Sequence, residues 1–413
     1  MLSSPEFAGT AAAPLAGAVM PPFTSGPVTG KAPGRQRTSH DRVIPSLDGL
    51  RGISIGLVML AHLSGTPGAP EWLSSAALDH GVLGVRIFFV ISGFLITRLV
   101  MDELGETGRL SLRLFYIRRA LRIFPAFYVY LGVVAVAGQF GWFDIPRRNL
   151  LFAGTYMMNY VLDGRWETGH LWSLAVEEQF YLVWPCAPVV FGTSRALTGA
   201  AVLALLAPFG LLALYVHGAG PYMLATTTFP FVADGLAAGC VLGGWLEPLL
   251  EHDVVRRSIA HPSGDVVPLV VLAADFTNHH SALYHGGVQP LTTLGICYCV
   301  ARYTQYPNTP GGRLLATRAL EWVGRRSYSL YLWQQLFLNR YHQTIFQLFP
   351  LNVGFAGACA ATSYRCIEAP LNRFRRRFQP RRVSPPVKDV ALSKVGACNP
   401  AVGEAPIRSC PRP

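Results

Sequence analysis

Charge is scarce in this chain of 413 residues. Only 14% of the residues are Asp, Glu, Lys or Arg, against 51% hydrophobic. A soluble domain usually carries about 25% charged residues. That shortfall is too large for one buried sheet, and it excludes an ordinary soluble globule. The chain also lacks paired cysteine spacing. Of its eight cysteines, six lie in or beside apolar stretches, and Cys297 and Cys299 are too close along one helix to share a metal. Neither a zinc motif nor a nucleic-acid motif accompanies the net charge of +12. The positive excess therefore points to membrane topology and anionic lipid rather than to nucleic acid.

What is present is a succession of apolar runs separated by arginine clusters. Ten runs are expected to span a bilayer: 49–63, 84–99, 123–140, 171–190, 197–216, 231–250, 266–274, 290–300, 320–338 and 353–366. A full crossing takes about 20 residues, so the shorter runs carry uncertain ends. A further run at 150–161 is expected to be re-entrant or interfacial. The fold class is all-α, a polytopic membrane protein with about ten transmembrane helices. An even number of spans places the clusters around Arg51, Arg119, Arg256, Arg313 and Arg375 on one side. By the positive-inside rule that side is the cytoplasm, and both termini lie there. Arg147, Arg148, Arg165 and Arg340 are the exceptions. The membrane domain runs from 43 to 377. Residues 1–42 are rich in Pro, Gly, Ala and Ser and are expected to be disordered, as is the polar tail 378–413. The stretch 11–20 is too short to span and has no basic region ahead of it, so it does not read as a signal peptide.

Polar residues inside lipid-facing runs are expensive and mark function. His62 lies eleven residues after Arg51. At about 100° per residue the two share a helix face, about 16 Å apart along the axis, with Arg51 near the inner surface and His62 near mid-membrane. An imidazole suits general-base work at neutral pH. The plainer reading is a packing histidine bonded to a backbone carbonyl. Glu177 and Glu178 enter an apolar helix side by side and face different directions. One of them is expected to meet His62 and stabilise its charged form. A buried ion pair, with Arg86 as the partner, is the alternative. Arg119 and Arg122 share a face before the third run, where guanidinium forks suit phosphate oxygens. Topology anchoring would explain them equally well. Asp234, Gln334, Gln335 and Ser92 add polar points in three further runs, as cavity lining or as interhelical hydrogen bonds.

Six segments in this order resemble a known family, the membrane-bound acyltransferases called acyltransferase 3. They are Pro45-Ser-Leu-Asp48-Gly49-Leu-Arg51-Gly52, the stretch from Gly84 to Ile96, and Phe115-Tyr-Ile-Arg118-Arg119-Ala-Leu-Arg122. The others are Leu171-Trp-Ser-Leu-Ala-Val-Glu177-Glu178-Gln179-Phe-Tyr181, Ser327-Tyr-Ser-Leu-Tyr331-Leu-Trp333, and Ser363-Tyr364-Arg365 with Ile367-Glu368. The resemblance covers about 43–376. It implies a bacterial plasma-membrane O-acyltransferase with no permanently bound cofactor or metal. Its donor is acyl-coenzyme A, usually acetyl, and its acceptor a hydroxyl of a sugar, glycan or glycosylated metabolite. It implies His62 as the catalytic residue and Glu177 and Glu178 as motif carboxylates of less certain role. Arg51, Arg119 and Arg122 are implied in donor handling. Some relatives add an esterase-like domain, for which the stretch after the tenth run is expected to be too short. Three places depart from the pattern: Arg86 where many relatives are acidic, Val232 where an Arg often precedes the Asp, and Trp333-Gln334-Gln335 where many have His. Arg86 is expected to supply the charge missing at 232, and the glutamines Gln334 and Gln335 to have no acid–base role. A transporter or flippase with a buried protonatable site is the rival reading, although no internal repeat supports it. A non-catalytic membrane scaffold is a second.

Overall fold

The computed structural model describes residues 44–71, 73, 80–218, 222–277 and 281–378. The Pro/Gly/Ser-rich head (1–42) and the tail after 378 lie outside the described residues. Among those described there is no strand, and helices follow one another along the whole domain.

Among the described residues four helices are long and apolar enough to cross a membrane: α1 (Pro45–Leu63), α2 (His80–Thr107), α3 (Leu112–Gln139) and the helix Thr193–Val216. The last of these is lined outside by Val202, Leu205, Leu206, Phe209 and Val216, all exposed. On α3, Tyr128, Val129, Val133 and Val136 are exposed in the same way. Water would leave such faces in need of cover, whereas lipid solvates them.

The remaining expected spans are shorter, broken or more polar helices. The fourth run divides into α4 (Leu171–Val183) and the short helix Cys186–Phe191. Pro185 and Pro188 fall at and after the break, where a missing N–H interrupts the ladder. Thr193–Val216, hereafter α5, follows Gly192, whose φ of +82° ends the preceding turn. Next come α6 (Asp234–Glu251), α7 (Val267–Ala274) and α8 (Gln289–Gln305). The ninth run divides at Arg326 into α9 (Arg318–Arg325) and α10 (Ser327–Phe337), and α11 is Leu351–Ser363. The stretch 150–161 is a short helix, Arg147–Gly154, followed by a turn at Met158–Tyr160.

The third helix begins eleven residues before the apolar run does. Ser111 caps it, its side chain accepting from the Leu114 N–H at 3.5 Å. Arginines are good helix formers, so hydropathy marks where lipid begins and not where the helix begins. As a result Arg118, Arg119 and Arg122 ride on a rigid rod.

Three crossings bring backbones into direct contact. Helix α2 packs on α6, and α1 packs on both α2 and α9. A Cβ on Gly93 would strike the Leu236 carbonyl oxygen, and one on Gly239 would strike that of Val90. Gly324 stands in the same relation to the Asp48 carbonyl, and Gly52 to that of Leu320. In lipid, where no hydrophobic effect pulls helices together, such close approach supplies the packing energy. Gly239→Val is expected to cost about 1–3 kcal/mol or prevent folding. Gly56→Ala, where an added Cβ meets nothing within 4 Å, is expected to leave stability unchanged. Size-exclusion profile and thermal unfolding in detergent measure both.

Candidate active site

Four helices contribute polar side chains to one buried seam. Helix α1 carries Arg51 and, as its penultimate residue, His62. Helix α3 carries the arginines. On α4 and the residue before it, His170, Ser173, Glu177 and Tyr181 recur at intervals of three, four and four, which places them on one face. Helix α10 presents Tyr331, Gln334 and Gln335, all buried.

At one end of the seam the charges are paired. Arg119 Nη2 lies 2.7 Å from Glu178 Oε1 and 4.0 Å from Glu177 Oε1. Its guanidinium sits 3.1 Å from the centroid of the Tyr181 ring. Glu177 accepts from the Ser92 hydroxyl, and from Tyr181 Oη at 2.5 Å. Arg118 faces elsewhere and pairs with Glu103 at 2.8 Å. Arg51 lies 3.8 Å from Asp48.

Arg122 differs from its neighbours. It is exposed and has no ion pair or hydrogen-bond partner among the described residues. It feels the charges of Arg51, Arg375 and Arg119. The nearby carboxylate Glu368 is taken by the Ser329 hydroxyl. The structure thus gathers Arg51, Arg119 and Arg122 at one place and leaves the Arg122 guanidinium without a partner among the described residues.

His62 is at the other end, and its ring is bonded to neither glutamate. Nδ1 faces the side-chain amide of Gln334, 3.0 Å from Oε1 and 2.8 Å from Nε2. Glu177 and Glu178 lie seven and eight residues past His170, whose ring is in electrostatic range of His62. That is a rise of about 10–12 Å. The expected carboxylate partner for the imidazole therefore stands with the arginines, and a neutral amide takes its place. Between the two ends, Tyr331 Oη donates to the His170 carbonyl at 2.6 Å and is 2.5 Å from Ser173 Oγ.

Three helix ends meet around His62. Besides the end of α1, α10 stops three residues after Gln334, and Trp166 opens the turn that leads into α4. Trp166 packs edge-on to the imidazole with centroids 5.4 Å apart, and Arg340 lies 5.0 Å over the same indole. Tyr341, 73% exposed, packs against Trp166. No pattern in the residues marks Trp166, Arg340 or Tyr341 as neighbours of His62. The recurrence of His170, Ser173, Glu177 and Tyr181 was the signal that would have shown the seam.

The expected compensation at position 232 is visible. Arg86 Nη2 lies 2.6 Å from Asp234 Oδ2, with both side chains buried. Arg86 thus pairs α2 with α6 and does not reach Glu178. Among the described residues no group of three His, Cys, Asp or Glu side chains is placed to hold a metal ion.

A family profile described as an acyltransferase domain, acyltransferase 3, matches residues 44–364. The chain belongs to the acyltransferase 3 family. It is 29% identical over 375 residues to the peptidoglycan O-acetyltransferase OatA of Listeria monocytogenes, covering 82% of this chain and 57% of that protein. It is 30% identical over 392 residues to the putative peptidoglycan O-acetyltransferase YrhL of Bacillus subtilis, covering 84% and 58%. A putative O-acetyltransferase of Staphylococcus aureus is 28% identical over 375 residues, covering 83% and 59%. The chain thus spans less than two thirds of the length of these relatives. No solved structure matches.

The Arg119–Glu178 pair of this acyltransferase 3 domain yields a stability test. Removing one partner of a buried pair leaves an uncompensated charge, at a cost of about 3–5 kcal/mol. Arg119→Ala is expected to lower the unfolding temperature strongly, and Arg119→Ala with Glu178→Gln to recover a large part of it. A double-mutant cycle by thermal unfolding gives the coupling.

Proposed function

We propose that this chain is a membrane O-acyltransferase. It moves a short acyl group, acetyl in the first instance, from acyl-coenzyme A to a hydroxyl of a sugar, glycan or glycosylated metabolite. The observation that carries the reading is His62. It is a half-buried imidazole with one nitrogen tied to Gln334, at the meeting of three helix ends, joined by a polar seam to an arginine cluster with an unpaired guanidinium. Family membership supports the reaction class, and the relatives' names supply peptidoglycan as a glycan on which such enzymes act.

In this reading the chain lies in the bacterial plasma membrane with about ten crossings, both termini in the cytoplasm. The arginine cluster then stands at the inner side. Arg51, Arg119 and Arg122 hold the phosphates of the donor, and Arg119 is kept in place by Glu178. From Arg51 to His62 is about 16 Å of helix, along which the extended thioester arm of the donor lies. The acceptor comes from the outer side, past Trp166 and Tyr341. An aromatic shelf flanked by Arg340 and His342 suits a sugar ring, whose C–H face packs on aromatics while its hydroxyls seek polar groups.

As the acceptor oxygen attacks the thioester carbonyl, His62 takes its proton. The carbon–sulfur bond breaks, and the imidazolium returns the proton to the departing thiolate. One ester and one free thiol result, with no net proton change. Glu177 and Glu178 act on this step only through Arg119 and the seam, as holders of the donor end.

His62→Ala is expected to abolish transfer of labelled acetyl from acetyl-coenzyme A in membranes that contain normal amounts of folded protein. Full retained transfer would end the reading. Arg122→Gln is expected to raise the KM for the donor roughly tenfold while kcat changes less than about twofold, because a charged hydrogen bond lost from uniform binding leaves the chemical step alone. Initial rates over a donor series, at two salt concentrations, check this.

A further inference from the structure

The contact between His62 and Gln334 carries more than proximity. Gln334 is fully buried. Its amide spans Nδ1 of His62, so ring and amide can pair in two senses, Nδ1–H to Oε1 at 3.0 Å or Nε2–H to Nδ1 at 2.8 Å. The neighbouring side chain bears on the choice. Gln335 Nε2 donates to the Trp166 carbonyl at 2.9 Å, which leaves Gln335 Oε1 as an acceptor. Gln334 Nε2 donates to that oxygen at 3.2 Å. The amide nitrogen of Gln334 thus has an acceptor of its own. Its Oε1 has no donor among the described residues except His62 Nδ1–H. The first sense uses both ends of the amide, while the second leaves a buried carbonyl oxygen without a donor.

The other ring nitrogen of His62, Nε2, has no hydrogen-bond partner among the described residues, yet it is not among the buried polar atoms that lack one. It is therefore not fully enclosed by the protein, and in the proposed reaction the acceptor hydroxyl stands beside it. A lone pair is available there only if the ring proton is on Nδ1.

We propose that Gln334 is the positioning residue of the catalytic imidazole: its Oε1 holds the proton on Nδ1 and directs the lone pair of Nε2 toward the acceptor. This rests on the reading of His62 as the base. Gln335 and the Trp166 carbonyl fix the orientation of the amide in turn. An amide cannot take the Nδ1 proton, so when Nε2 accepts the hydroxyl proton the positive charge stays on the ring. Nδ1–H donates to Oε1 before and after transfer, and the amide does not have to rotate during the reaction.

The experiment compares three forms of the full chain in lipid nanodiscs: wild type, Gln334→Met and Gln334→Glu. Met preserves length and cannot hold the proton, whereas Glu accepts from Nδ1–H as Gln does. Gln334→Met is expected to lower kcat roughly 10–100-fold, within the roughly 10²–10⁴ that a positioned base supplies, with the KM for acetyl-coenzyme A unchanged. Gln334→Glu is expected to keep kcat within roughly tenfold of wild type. Nitrogen-15 spectra of histidine-labelled protein, with the His62 signals assigned by their absence from His62→Ala, are expected to show Nδ1 protonated and Nε2 unprotonated in wild type. A proton on Nε2, or equal losses in Met and Glu variants, would overturn the proposal. So would full turnover in Gln334→Met while His62→Ala is inactive. Activity in His62→Ala would instead overturn the reading of the site itself, so the two failures are distinguishable.

Discussion

Charge in a lipid-shielded interior persists only where something compensates it, and the arrangement of this domain follows from how each buried charge is compensated. Arg86 is paired with Asp234 across α2 and α6, the same two helices that touch backbone to backbone at Gly93 and Gly239. Arg118 is paired with Glu103, and Arg119 with Glu178. These pairs tie α2 to α6, and α3 to both α2 and α4, at fixed register. Packing by small residues brings the rods close, and the ion pairs decide which turn faces which.

The seam between Arg122 and His62 shows two contrasting electrostatic settings within one site. At the arginine end, charges of both signs are numerous, and the guanidinium of Arg122 has no ion-pair partner among the described residues. At the histidine end the hydrogen-bond partners are neutral: two glutamine amides and a backbone carbonyl. In the proposed reaction the first setting serves a phosphorylated donor. A base that must be neutral before it acts gains from the second, since a carboxylate against the ring would favour the charged form. Putting the glutamates with the arginines and the amides with the imidazole keeps the two requirements apart along a single set of helices.

Much of this was legible in the residues. His62 and the arginine pair stood out because polar side chains in apolar runs are conspicuous, and Arg86 was rightly matched to the gap before Asp234. The partner of His62 was not legible. Gln334 is 272 positions away in sequence, and an amide has no charge to advertise a role. The placement of Glu178 near the imidazole rests on a continuous span starting at the outer surface, whereas α4 is short, begins near His62, and carries the carboxylates to Arg119. The start of α3 was misjudged because hydropathy reports lipid contact while helix propensity reports the backbone, and over 112–122 the two disagree.

The lone guanidinium of Arg122 has a thermodynamic consequence. Arg51, Arg119 and Arg375 repel it, and the carboxylates in range, Glu178 and Glu368, are already engaged by Arg119 and Ser329, so this guanidinium stands without a partner of its own among the described residues. Whichever polyanion settles there relieves that repulsion in the folded state and finds no counterpart in the unfolded chain. By mass action the occupied form melts later than the empty one, by an increment that grows with the logarithm of ligand concentration. Keeping the donor or a phosphate-rich mimic present during extraction from the membrane would therefore preserve the fold as well as fill the site.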